Sequence, residues 1–181
     1  MARPIFDKKN ILVAGGAGFI GSFLCDALVQ HAKVICVDTF VSGTHANIEH
    51  LLRNPNFIFI KHDVNTPIDP ESFPELERFK VKFQGVQEIY NLACPTSPKN
   101  FMDQRLETLQ ANSVAVLNIM DLAVKYQAKV VHASSSVVYG QRPADAKPFV
   151  EEYVGIVDFL SQRACYDEGK RFAETIIETY R

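Results

Sequence analysis

Residues 10–38 read NILVAGGAGFIGSFLCDALVQHAKVICVD, and the order of residue types along this stretch decides the fold. Ile11, Leu12, Val13 and Ala14 form a short aliphatic run that stops at a cluster of glycines, the pattern of a buried strand. Gly15, Gly16, Ala17, Gly18, Phe19, Ile20 and Gly21 then turn the chain into a helix over residues 22–31, where Phe23, Leu24, Ala27 and Leu28 mark one apolar face. Residues 33–37 return as a second strand, and Asp38 closes it. A helix N-terminus presents unpaired backbone N–H groups and the positive end of the helix dipole, so a bare turn there suits a pyrophosphate. Side chains at Gly15 or Gly18 would block that approach. Gly16, Gly18 and Gly21 satisfy Gly-x-Gly-x-x-Gly, and Gly15 adds the spacing Gly-x-x-Gly-x-x-Gly. Asp38 falls about 20 residues further on, where a carboxylate accepts from an adenosine ribose. The alternative is a glycine turn needed only for close helix-to-strand packing.

Around that unit, 181 residues with a net charge of −2 suffice for one domain with a substantial core. Lysines and arginines are scattered, which speaks against a nucleic-acid surface. The first residues lack an apolar signal core, and no apolar run approaches membrane-spanning length, so the cytoplasm is the expected compartment. Cys25, Cys36, Cys94 and Cys165 stand singly, with no Cys-x-x-Cys pair, and read as reduced packing residues. Cys94, in Ala-Cys-Pro, is the one placed to face a ligand, although an inert packing role suits it as well. The histidines show no metal-ligand spacing, so no metal site is expected.

Further along, residues 46–53 read as a helical piece stopped by Asn54-Pro55, and residues 57–60 as a third strand. Its exit places Asp63 at a carboxyl end, where open parallel sheets bind ligands. Asp63 there either accepts from an adenine amino group, with the Val64 N–H donating to the ring, or caps its own loop. Residues 65–84, with three prolines, allow a short helix over 75–80. Residues 86–92 are a fourth strand, followed by the proline-stiffened loop 93–98, which is expected to line the nicotinamide side of a cleft. Residues 102–127 carry the pattern of one long amphipathic helix with more apolar surface than one sheet face needs. The excess fits either a subunit contact or burial in the core. Residues 128–132 make a fifth strand that runs into Ser134, Ser135 and Ser136. Residues 141–154 are loop and residues 161–180 helix.

That last helix carries Tyr166 and Lys170, four apart and so on one face. A neighbouring cation favours the phenolate and moves a tyrosine toward the range of a general base. Behind a dinucleotide fingerprint, and with Ser135 at a strand end, the pair forms a joint signal for proton transfer at a hydroxyl. The fold class expected is α/β, a Rossmann-type doubly wound parallel sheet.

Taken together, Gly-Gly-Ala-Gly-Phe-Ile-Gly, Asn-Pro-Asn-Phe, His-Asp-Val, Asn-Leu-Ala with Ser97-Pro98, and Arg-Ala-Cys-Tyr-Asp-Glu-Gly-Lys-Arg resemble the extended short-chain dehydrogenase/reductases that act on nucleotide sugars. Within that group the chain looks most like the UDP-glucuronate decarboxylases that make UDP-xylose. The resemblance implies NAD as cofactor, with Gly15, Gly18, Phe19, Ile20 and Gly21 on the pyrophosphate, Asp38 on the ribose, Asp63 and Val64 on adenine, and Ala93 lining the site. It makes Tyr166 the base, Lys170 its partner and a ribose ligand, and Ser135 the hydroxyl that orients the substrate oxygen. The charge of Asp38 disfavours a 2′-phosphate, and no arginine follows it directly, which favours NAD over NADP. The implied activity is a carboxy-lyase: C4 of a UDP-sugar is oxidised, carbon dioxide leaves from C6, and the ketone is reduced again.

Two departures qualify that reading. Val137 stands where the decarboxylases and related dehydratases carry a glutamate, and an apolar residue there resembles the 4-epimerases instead. The chain is also short for the family, so residues 1–181 are expected to be an incomplete NAD-binding Rossmann domain ending before the substrate domain, and turnover by these residues alone is not expected. The alternatives are a UDP-glucose 4-epimerase or dTDP-glucose 4,6-dehydratase type enzyme, and a non-catalytic NAD-binding module. A homodimer is expected for the whole enzyme by analogy with relatives.

Overall fold

The computed structural model describes residues 7–141 and 148–181. Residues 1–6, at the N-terminus read as lacking an apolar signal core, and the middle of the expected loop 141–154 including Pro143, lie outside the described residues. The chain forms two compact units, one of residues 1–93 and 117–133, the other of residues 94–116 and 134–181.

The first unit holds the whole sheet. Strands β1 (Asn10–Ala14), β2 (Lys33–Asp38), β3 (Phe57–Lys61), β4 (Glu88–Asn91) and β5 (Lys129–His132) are all parallel, in the order β3-β2-β1-β4-β5. This is the expected doubly wound sheet, and its strand order reverses between β1 and β4. Every residue of β1 is buried, because a central parallel strand is covered on both faces and so reads as a continuous apolar run. In register, Ala14 lies opposite Val37 and Asn91, Asp38 opposite Lys61, and Asn91 opposite His132. The carboxyl ends are therefore level, and the residues that follow them share one edge.

Helix α1 (Phe19–Leu28) packs on β1 and β2, burying Cys25 and Leu28 among Ile11, Val13, Val34 and Cys36. It begins three residues earlier and ends three earlier than its apolar pattern indicates. Phe19 and Ile20, the first helical residues, are 79% and 69% exposed, so they contribute nothing to an apolar face that periodicity can detect. Residues 46–53, expected to be helical, form two short 3-10 turns at His45–Asn47 and Glu49–Leu51 instead. The uncertain stretch before β4 contains 3-10 turns at Pro70–Ser72 and Pro74–Phe79 and a single-turn helix α2 (Val81–Gln84), divided by Lys80 in a left-handed conformation. Asn10 fastens this connection to β1, its Nδ2 donating to the carbonyls of Phe79 at 3.1 Å and Gly85 at 2.8 Å.

The expected single helix over 102–127 is broken into α3 (Pro98–Asp103), α4 (Arg105–Ala111) and α5 (Val114–Tyr126). Side chains cause the break between α4 and α5. Asn112 Nδ2 donates to the Thr108 carbonyl at 2.8 Å and Ser113 Oγ to the Leu109 carbonyl at 2.6 Å, while their N–H groups turn to Leu109 and Gln110. Such back-bonding competes with the helical ladder. The apolar excess is buried only in part: Ile119, Leu122 and Ala123 are buried, whereas Leu106, Leu109, Val114 and Val124 are exposed. In the second unit, α6 (Ala164–Thr179) packs against α4 and a 3-10 turn at Ser136–Tyr139. A Cβ on Gly169 would lie 3.1 Å from Asn112 Cβ, so the glycine sets the close approach of the two.

Candidate functional site

In the first unit, the predicted cofactor residues gather at the carboxyl ends of β1 to β4. The glycine turn leaves β1 with the Gly15 N–H donating to the Val37 carbonyl at 2.8 Å and the Gly18 N–H to the Gly15 carbonyl at 3.1 Å. Gly15 has φ +78°, and a Cβ there would lie 2.8 Å from Ala93 N and Leu92 C. The requirement at Gly15 is thus close passage of the β4 exit, not the open approach expected from sequence. At Gly21 a Cβ would come within 2.2 Å of the Gly15 carbonyl oxygen, so α1 sits directly on the turn. Only Gly18 faces open space, with Gly15 O at 3.2 Å its single near neighbour.

Gly18 is the N-cap of α1 and supplies no side-chain hydrogen bond, and no acidic residue stands in the first turn. Helices normally cover these orphan amides with Ser, Thr, Asp or Asn, so the first-turn N–H groups of α1 lack a side-chain cap. This arrangement fits an anionic ligand. Asp38 accepts from Ala17 N at 3.0 Å through Oδ2 and from Phe40 N at 2.8 Å through Oδ1. Each oxygen keeps acceptor capacity for a further donor.

Asp63 caps its own turn, Oδ1 accepting from Asn65 N at 2.9 Å and its carbonyl from Thr66 Oγ1 at 2.8 Å. The Val64 carbonyl accepts from Asn118 Nδ2 of α5 at 2.9 Å. Ala93 N lies 3.4 Å from Asn91 Oδ1.

In the second unit, Ser135, Tyr166 and Lys170 come together as expected. Tyr166 and Lys170 are 8% and 2% exposed, and Lys170 Nζ lies 5.9 Å from the centre of the Tyr166 ring. Burial pushes the Tyr166 phenol up, while its hydrogen bond with Ser135 pulls it down. Burial also pushes the Lys170 ammonium down, against the pull of Cys94 and Glu174. The direction at Tyr166 is opposite to that expected from a neighbouring ammonium, because desolvation is the largest influence and the charges of Cys94 and Asp167 add to it. Cys94 is half-buried, its thiol pushed up by burial. Its Sγ accepts from Asn112 Nδ2 at 3.1 Å. Val137 packs against Cys165 and Tyr166 together with Cys94 and Met102. Ser134 Oγ donates to Glu174, one turn beyond Lys170.

Sequence reasoning passed over three asparagines that hold these parts: Asn47, Asn112 and Asn118. The one available signal was Asn112 and Asn118 lying inside a helical pattern that asparagine disfavours. Among the described residues no cluster of three or more His, Cys, Asp or Glu side chains is arranged to hold a metal ion, and no helix is long and apolar enough to cross a membrane.

A parallel sheet with this strand order, a glycine turn at its switch point and Ser135 beside buried Tyr166 and Lys170 define the extended short-chain dehydrogenase/reductase class. Residues 11–181 match the NAD dependent epimerase/dehydratase family, and the chain belongs to that family. Among curated relatives, it is 42% identical over 175 residues to UDP-glucuronic acid decarboxylase 1 of Xenopus tropicalis, covering 96% of this chain and 38% of that protein. Among solved structures, it superposes on a UDP-N-acetylglucosamine 4-epimerase from Methanobrevibacter ruminantium M1, in complex with UDP-N-acetylmuramic acid, with TM-score 0.77 and 28% identity, covering 97% of this chain and 51% of that one. A dTDP-glucose 4,6-dehydratase from Bacillus anthracis in complex with NAD gives TM-score 0.70 and 29% identity, covering 95% and 50%. The chain spans about half the length of these structures and 38% of the decarboxylase.

Proposed function

We propose that residues 1–181 are the NAD-binding Rossmann domain of a nucleotide-sugar enzyme, and that its reaction is decarboxylation of UDP-glucuronate. The observation that carries the reading is buried Tyr166 and Lys170 with half-buried Ser135 bonded to the phenol, in a chain 42% identical to a UDP-glucuronic acid decarboxylase. The uncapped first-turn amides of Phe19, Ile20 and Gly21 would hold the diphosphate, Asp38 the adenosine ribose, and Asp63 and Val64 the adenine. When bound, NAD supplies a hydride acceptor and donor for C4 of the sugar.

Tyr166 takes the proton of the sugar 4-hydroxyl, and Ser135, hydrogen-bonded to the phenol, orients that oxygen. Lys170, buried beside the ring, stabilises negative charge on the phenolate. A 4-ketone is β to the C6 carboxylate, so carbon dioxide leaves through an enolate and the ring is then reduced. The exposed apolar residues of α4 and α5 support a homodimer of the whole enzyme.

The test is release of labelled carbon dioxide from UDP-glucuronate by a full-length version of the enzyme supplied with NAD. Stoichiometric release supports the decarboxylase. A sugar product that retains C6 overturns it in favour of a 4-epimerase or dehydratase, the reading favoured by the apolar contact of Val137 with Tyr166. NAD binding with no turnover of any nucleotide sugar would leave a non-catalytic module.

A further inference from the structure

Ala17, midway through the glycine turn, is gripped on both sides by the segment that follows β2. Its N–H donates to Asp38 Oδ2 at 3.0 Å. Its carbonyl accepts from Asn47 Nδ2 at 2.8 Å and from Thr44 N at 3.2 Å. Gly43 passes so close that a Cβ there would lie 2.7 Å from the Ala17 carbonyl carbon and oxygen. The next N–H, on Gly18, donates back to the Gly15 carbonyl.

A trans peptide carries its C=O and N–H on opposite sides of one rigid plane. Fixing the Ala17 carbonyl with Asn47 and the Gly18 N–H with Gly15 therefore fixes the whole Ala17–Gly18 plane. Asp38 does the same for the Gly16–Ala17 plane. The N–H groups of Phe19, Ile20 and Gly21 follow immediately, so their aim depends on those two planes. The segment can reach Ala17 because Phe40 holds a left-handed φ of 64°, with its N–H on Asp38 Oδ1 and its ring stacked on Phe59 at 4.8 Å. A bulky residue in that region is strained and persists only where its surroundings enforce it.

We propose that residues 38–47 brace the turn, and that Asn47 is a positioning residue for the diphosphate of the dinucleotide; this rests on the dinucleotide site proposed above. Asn47 reaches no ligand itself. It acts through the Ala17 carbonyl, and it couples the ribose carboxylate Asp38 to the amides that receive the phosphates. Loss of its donor leaves the Ala17–Gly18 plane held only by the longer bonds from Thr44 N at 3.2 Å and to Gly15 O at 3.1 Å, so the amides that follow are aimed less tightly.

The experiment compares the protein with its Asn47→Ala variant, measuring affinity for NAD, for ADP and for adenosine, which lacks the phosphates. The expected result is about tenfold weaker NAD and ADP binding, the effect of one hydrogen bond to a preorganised group, with adenosine affinity changed less than about twofold. Equal loss for all three ligands means general loosening and overturns the positioning role. Unchanged NAD affinity in a folded variant overturns the brace while leaving the dinucleotide site intact. Failure of the unsubstituted protein to bind NAD overturns both. Should Asn47→Ala not fold, Asn47→Asp, which keeps the shape and lacks the donor, carries the same comparison with the same outcomes.

Discussion

Alanine at Gly21 and alanine at Gly18 should have opposite effects, although both glycines belong to the same motif. At Gly21 the added carbon would lie 2.2 Å from Gly15 O, 2.8 Å from Gly16 Cα and 3.0 Å from Gly15 C, all backbone atoms. No side chain can rotate out of the way, so α1 must lift from the turn and disturb the burial of Cys25 and Leu28. Overpacking of this kind costs about 3 kcal/mol, which for a chain of this size lowers Tm by roughly 6–12 °C. At Gly18 the same carbon meets only Gly15 O at 3.2 Å, and φ is −73°, a conformation alanine adopts freely. The reduced freedom of the unfolded chain offsets that contact to within about 1 kcal/mol, a Tm change of roughly 3 °C or less. The methyl group nevertheless stands in the open space before the helix N-terminus, so NAD affinity should fall at least about tenfold, the cost of one lost charge-assisted hydrogen bond. The chain has no tryptophan, so melting is followed by ellipticity at 222 nm, with NAD binding by calorimetry. Equal destabilisation by the two variants, or unimpaired NAD binding by Gly18→Ala, would refute the division of labour.

Asn10→Ala removes both donors to the Phe79 and Gly85 carbonyls from a fully buried residue and should cost about 2–3 kcal/mol, read as a lower urea midpoint at unchanged slope. In the active enzyme, Ser135→Ala removes the hydrogen bond that lowers the Tyr166 pKa. The base must be deprotonated, so kcat/KM rises with pH through that pKa, and the rise should move to higher pH in the variant; a move to lower pH counts against Tyr166 as the base. Lys170 has its pKa depressed by burial below 10.5, so between the depressed value and 10.5 the unfolded chain binds more protons than the folded one, and stability rises with pH. Lys170→Met lacks that term. The Tm of the parent relative to Lys170→Met should therefore climb as pH is raised toward 10.5, and a flat difference would show that the lysine is not held in a desolvated site.

The sheet was legible because a central parallel strand has no polar face: β1, β2 and β3 each appear as a short aliphatic or aromatic run closed by Gly or Asp, within a residue of where they lie. Helices were legible only where one face is buried. Residues 102–127 keep an apolar pattern across Asn112 and Ser113, and apolar periodicity cannot register that two side chains take over the carbonyls of the preceding turn. Residues 46–53 bury only Ile48 and Leu51, too little to distinguish an α-helix from two 3-10 turns separated by Ile48 alone.

The site divides in the same way. Residues that a ligand would touch carry motif spacing, whereas those that aim them do not. Asn47 stands 30 residues from Ala17 in sequence, Asn118 stands 54 from Val64, and Asn112 stands 18 from Cys94. A polar side chain whose work is to hold a distant backbone group or thiol has no required interval and no apolar neighbour pattern, so only its partner reveals it. Asn112 shows why such residues matter for chemistry: it is fully buried, and its Nδ2 serves both the Thr108 carbonyl and Cys94. It lies against Gly169, next to Lys170. A larger side chain at Gly169 would press on Asn112 before it touched the lysine, so a substitution one residue from the proton-transfer pair should act through the asparagine, displacing Cys94 while leaving the Tyr-x-x-x-Lys spacing untouched.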